Sequence, residues 1–127
     1  MPFIAFNKAF DPDTPDDLRI NTAAVLYAEA SRLDLVGQTT VHLLSQGETV
    51  NAVTESISIV VSEIGGLVAA TRHYLAPRPA EGASTVYVCP ANVSYVRPNL
   101  PALPDFWVVR FVDGSEVRVQ HPLPDGL

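Results

Sequence analysis

The sequence predicts a mainly β domain with one helix, of the α+β class, and three observations predict it. Short runs rich in Val, Tyr, Phe and Thr recur along the chain, separated by Pro, Gly, Asn and Asp. One stretch, Ile57 to Val68, instead spaces its apolar residues as a helix face. Two segments also match each other in order and spacing, which implies a duplicated small antiparallel β unit, sandwich- or barrel-like. The 127 residues suit a single domain spanning 1–127.

Taken in order, Phe3 to Phe6 reads as a short strand, and Asp11 to Asp17, with Pro12 and Pro15, as a turn-rich loop. Leu18 to Asn21 and Val25 to Ala28 are extended runs. Thr39 to Leu44 is a strand, Gln46-Gly47 a tight turn and Glu48 to Val53 the returning strand. A helix over about 54–74 follows. Ile57, Val60, Val61, Ile64, Leu67 and Val68 fall at i, i+3, i+4, i+7 spacing, and Thr54 or Ser56 is placed to cap it. The β-branched run and the Gly65-Gly66 pair oppose this, since each glycine costs a helix interior about 1 kcal/mol. The helix has room to bend at the glycines, and a strand from Ile57 to Ile64 is the alternative. Pro77, Pro79 and Gly82 mark a connector. Strands resume at Thr85 to Cys89 and Val93 to Arg97. After a proline-rich loop, Phe106 to Val112 turns through Asp113-Gly114 into Ser115 to Gln120. Val41, Val50, Val108, Phe111 and Val117, with the face Ile57, Val60, Val61 and Ile64, are the expected core.

The repeat covers residues 18–53 and 86–120. Ala23, Val25 and Tyr27 align with Ala91, Val93 and Tyr95; Val41, Gly47 and Val50 align with Val108, Gly114 and Val117. The unit is strand, polar turn, strand, loop, then a hairpin closed by a glycine turn. With Arg19-Ile-Asn-Thr, the run Thr40 to Ile57, Val88-Cys-Pro-Ala-Asn and Val108 to Val119, it resembles the FlbD-type small flagellar proteins and the LytTR-like β units. The resemblance implies a strand order and, on the LytTR side, a nucleic-acid-binding regulator. It carries no functional residues across.

Net charge is −6, from eight Lys and Arg against fourteen Asp and Glu. The acids crowd residues 1–63, which hold nine against three cations; 64–127 holds five of each. That balance argues against tight duplex DNA binding and against anionic membranes, both of which draw on excess cations. No run approaches the roughly 20 apolar residues of a membrane span. The expected location is cytoplasmic, or the virion for a phage protein. The low charge and high apolar content suggest a covered surface, whether by a protein partner or by self-association as a homo-oligomer.

No nucleophile motif, P-loop or Gly-x-Gly-x-x-Gly is present, so no enzyme, catalytic residue or cofactor is expected. Cys89 is the single cysteine and reads as a small buried hydrophobe. His42, His73 and His121 are scattered without ligand spacing, so no metal is expected either. The candidate binding surface is Trp107, Tyr95, Arg72, His73 and Arg78. Arg72-His73-Tyr74 with Arg78 is the densest polar group, able to hold an anion or, equally, to be the solvated end of a helix. Trp107 and Tyr95 flank a proline loop, where Trp either anchors a partner or packs in the core. The expected function is therefore a non-catalytic protein-binding or assembly module, as in a phage or prophage accessory or structural protein or a bacterial adaptor. The alternative is the nucleic-acid-binding regulator.

Overall fold

The computed structural model describes residues 3–6, 18–30, 39–45, 51–73, 85–99 and 105–127. Within them the chain forms β1 (Phe3–Phe6), β2 (Leu18–Asn21), β3 (Val25–Ala30), β4 (Thr39–Leu43), β5 (Asn51–Val53), the helix α1 (Ile57–Ile64), β6 (Val68–Thr71), β7 (Thr85–Val88), β8 (Val93–Pro98), β9 (Phe106–Phe111) and β10 (Glu116–Gln120). Tight 3-10 turns at Thr22–Ala24 and Pro90–Asn92 lead into β3 and β8. The fold is mainly β with a single helix. Three antiparallel sheets carry it: β1-β2, β5-β4-β3-β7-β6 and β10-β9-β8. A single bridge, Arg72 to Val119, joins the end of β6 to β10, and the His73 N–H donates to the Arg118 carbonyl at 2.8 Å beside it. The described strands close no barrel.

The helix is shorter than the expected 54–74. It starts at Ser56, whose hydroxyl bonds Ser58 rather than the backbone, and stops after Ile64. Gly65 and Gly66 both take positive φ, 74° and 71°, a conformation that ends the helix, and the Gly65 N–H closes it on the Val61 carbonyl. Neither glycine is crowded, so backbone conformation alone calls for glycine here. Leu67 and Val68, which continue the helical spacing, leave the helix. Val68 to Thr71 has β7 to pair with, from Val68↔Val88 to Thr71↔Thr85. The helical and extended patterns shared the same apolar residues, and strand pairing decided between them.

The order strand, 3-10 turn, strand, strand, strand occurs twice. Tyr27 opposes His42 across β3 and β4, and Tyr95 opposes Arg110 across β8 and β9, so an offset of 68 residues takes one pair to the other. Both long strands carry a bulge at the matching point, Val25/Tyr27 and Val93/Tyr95. Matching backbone bonds follow each bulge: Leu44 N–H to the Ala24 carbonyl, and Val112 N–H to that of Asn92. The sequence alignment, anchored on Gly47 and Gly114, pairs Val41 with Val108; the strand register pairs it with Val109 instead. Gly47 and Val50 lie outside the described residues.

Each set of strands has its own core. Phe6, Ile20, Val25, Ala28, Val41, Val53 and Val60 form one, packed by Ile57 and Ile64 of α1. Val86, Val88, Val109, Phe111, Val117 and Val119 form the other, joined by Leu26 and Tyr27 from β3. The bulge explains the sharing: it sends Val25 to one core and Tyr27 to the other. Of the expected core, Val41, Val60, Val108, Phe111 and Val117 are buried, and Ile57, Val61 and Ile64 are half-buried. The Asp113-Gly114 turn forms as expected, with Gly114 at φ 92° and the Asp113 carboxylate accepting from the Ser115 N–H and hydroxyl.

Candidate binding surface

Alternation along paired strands sorts side chains by face. On β3 and β4, Tyr27 and Glu29 stand beside His42 and Thr40, and this face lies inside the molecule. Glu29 is only 6% exposed. An uncompensated carboxylate there would be costly, and it is compensated. Arg72 Nη1 donates to both its oxygens, at 2.7 and 2.9 Å, and His42 Nε2 lies 3.3 Å from Oε1. The His42 ring stacks on Tyr27 at 4.0 Å, the Arg72 guanidinium lies 5.9 Å from the Tyr27 ring centre, and Phe111 of β9 stacks on the same ring at 5.7 Å. Burial alone would raise the Glu29 carboxyl. The His42 hydrogen bond and the charge and hydrogen bonding of Arg72 overcome it and hold it at about 2, against an ordinary 4.5. Glu29 is thus a permanent anion locked to a permanent cation, a poor general acid or base near neutrality. What the group does is tie β3, β4 and the end of β6 together.

The equivalent face of β8 and β9 is on the surface. In register, one row reads Tyr95, Arg110, Glu116 and the next Arg97, Val108, Arg118. Tyr95 is 44% exposed and Arg97 and Arg118 are exposed, while Val108, between the two arginines, is 5% exposed. Arg110 pairs with Glu116 at 3.1 Å. Arg118 lies 5.9 Å from the Phe106 ring centre, and His73 stacks on Phe106 at 4.4 Å. The inward face, with Val96, Trp107, Val109 and Phe111, packs on the second core.

The sequence-predicted surface is therefore divided. Tyr95 belongs to the exposed face, and His73 reaches its margin through Phe106. Trp107 does not: it is half-buried against the second core, its Nε1 donating to His121 Nδ1 at 3.1 Å. Arg72 ends no helix; it follows β6 and its charge is taken by Glu29. Arg78 and Tyr74 lie outside the described residues, as does the acidic cluster of Asp11, Asp13, Asp16 and Asp17. Arg110 and Arg118 share a face but are not opposite each other. The turn holds Val112, Asp113 and Gly114 between Phe111 and Ser115, which sets Arg110 against Glu116. Sequence reasoning passed over Glu29, whose signal was an acid inside the apolar run Val25 to Ala30. Of the five arginines of the second half that the sequence allows to gather on one face, Arg97, Arg110 and Arg118 share this one.

Cys89 is half-buried against the first core with its thiol free. Among the described residues, no three His, Cys, Asp or Glu gather as metal ligands, and no helix is long and apolar enough to cross a membrane. No protein-family model, curated protein or solved structure matches the chain.

Proposed function

We propose that this chain is a non-catalytic protein-binding module built from two like β units, presenting the outer face of the β8–β9–β10 sheet to its partner. The observation that carries this is the opposite use of equivalent faces. Tyr27, Glu29 and His42 are consumed by internal contacts, whereas in the same register Tyr95 and Arg97 stand exposed and Arg110 is half-buried beside Glu116. An exposed tyrosine among arginines, over a buried valine, has the composition of a binding hot spot. The repeated strand order, matching bulges and matching hydrogen bonds support descent of the halves from one duplicated unit, after which one face was freed for recognition. Such a module suits a phage accessory or structural protein as well as a bacterial adaptor, and the neighbouring genes separate these settings.

The test is affinity enrichment with the wild-type chain and with Arg97→Glu/Arg118→Glu. A partner retained by the first and lost by the second, and then reproduced with purified components, is the expected result. Retention by both would move the binding surface elsewhere. A regulator that binds nucleic acid is the second reading, favoured by the convergence of Arg97, Arg110 and Arg118 on one face. Sub-micromolar binding of random duplex at 150 mM salt, lost in Arg110→Ala/Arg118→Ala, would promote it.

A further inference from the structure

The molecule contains a template for what the exposed face accepts. In the first half, β3 is hydrogen-bonded on both edges, to β4 and to β7. The added strand pairs at Tyr27↔Val88, Ala28↔Tyr87 and Glu29↔Val86, just past the bulge. With β7 comes β6, and at the end of β6 comes Arg72, whose guanidinium lies against Tyr27 and bonds Glu29. Strand addition and side-chain recognition arrive together.

In the second half, β8 pairs with β9 alone among the described strands. Its bulge sits at the same point as that of β3, so the stretch equivalent to the one that takes β7 is Tyr95 to Arg97. A bulge, an arginine and a terminal proline are features that protect a sheet edge from indiscriminate pairing. In β3, however, the same bulge leaves strand addition open. Tyr95 keeps the aromatic of Tyr27, but Arg97 stands where Glu29 does and Arg110 where His42 does. The site's sign is reversed: the face that received a guanidinium has become one that offers them. Arg97 has no carboxylate within ion-pair distance among the described residues, while Arg110 holds Glu116.

Building on the binding-module reading, we propose that β8 takes an extended, acidic segment of a partner protein along its free edge, with a partner carboxylate seated between Tyr95, Arg97 and Arg110. Such strand addition draws affinity from main-chain bonds and specificity from alternate side chains. The carboxylate repeats the Glu29–Arg72 contact with donor and acceptor exchanged, and an arginine fork suits that group bidentately. A second copy of this chain is a poor occupant of the same edge, because its own β8 brings further arginine and no acid to Arg97.

The experiment uses three probes with the full chain: a peptide of about ten residues alternating Glu and Val, long enough for one strand, its Lys–Val counterpart, and oligo-thymidylate of similar length. Backbone amide shifts locate binding and fluorescence anisotropy measures it. The Glu–Val peptide is expected to shift the amides of residues 94–97 and to bind roughly tenfold more weakly to Arg97→Glu, a loss of about 1.4 kcal/mol. Arg97→Glu is expected to gain binding of the Lys–Val peptide. Ser58→Glu/Ser62→Glu on α1 changes net charge equally and is expected to change neither. Absent binding of the Glu–Val peptide, binding indifferent to Arg97→Glu, or shifts confined away from β8 would each overturn the proposal. So would tighter binding of the oligonucleotide at the same amides. If the peptides fail while a purified partner from the enrichment still binds, the acidic-strand proposal falls and the binding-module reading stands.

Discussion

The β3–β4 face carrying Tyr27, Glu29, Thr40 and His42, and the β8–β9 face carrying Tyr95, Arg97, Val108 and Arg110, occupy one register in two sheets, yet one is interior and the other surface. The difference lies in what packs over them. The first is closed by Phe111 and Arg72, and its charges are complementary, anion to cation. The second is open, and three arginines share it with a single glutamate. Burial tolerates charge only in matched sets; a surface tolerates an excess of one sign and can use it. Strand position sets which face a residue joins, and the neighbouring layer sets what it does there.

The comparison breaks most visibly at Arg72. Arg72→Ala strips the guanidinium from the buried Glu29 carboxylate and is expected to cost about 3–5 kcal/mol in urea unfolding. Glu29→Gln/Arg72→Met should recover much of that loss, since replacing both partners leaves no stranded charge. Full stability in Arg72→Ala would show that the pair is decorative.

Acid should separate the two faces next. Glu29 is held at about 2 in the fold against an ordinary 4.5, so the unfolded chain takes up its proton more readily. Its stabilisation, on the order of 3 kcal/mol, is complete above about pH 4.5 and drains away as pH falls through 2. Unfolding free energies measured across that range should show the slope, and Glu29→Gln should flatten it. The Asp113 carboxyl is also lowered. There burial opposes the shift, and the hydrogen bonds from Ser115, in side chain and backbone, and from the Ser45 backbone outweigh it.

Equivalent core positions test whether the halves are built alike. Val41 and Val109 are both fully buried, so valine to alanine at each should cost about 1–3 kcal/mol, with the two values close. A large gap would argue that the shared register conceals different packing. The smallest effect is expected on the open face: Arg97→Ala and Tyr95→Ala should change thermal stability by less than about 0.5 kcal/mol. A loss of a kilocalorie or more would mean that this face is structural after all.

How much of this was legible in the sequence depends on the range of the interaction that decides it. Strands bounded by turn residues were readable, down to the Asp113-Gly114 turn, because local propensity and turn chemistry set them. The end of the helix was not. Leu67 and Val68 satisfy helical spacing and strand composition equally, and β7, seventeen or more residues further on, decides for the strand. Aligning the two segments on Gly47 and Gly114 sets Val41 against Val108, one residue away from the correspondence of the paired strands, which follows the bulges at Val25/Tyr27 and Val93/Tyr95, invisible in sequence. Glu29, His42 and Arg72 lie far apart in the chain; only folding brings them to one face, so no local pattern could have gathered them. Arg110 and Arg118 show the converse. The strand assignment placed them on paired arms, and one residue in the turn decided that Arg110 would meet Glu116.

The pairing of β3 with β7 has a consequence for synthesis. A chain emerging from the ribosome can form the β3–β4 hairpin early, but the other edge of β3 stays bare until residues 85–88 follow. In that interval the bare edge and the Glu29 carboxylate, with Arg72 not yet delivered, are open to stray pairing of the kind that drives aggregation. A stop shortly after α1 would release a fragment in which β3 lacks β7, an unfinished sheet rather than a smaller working module.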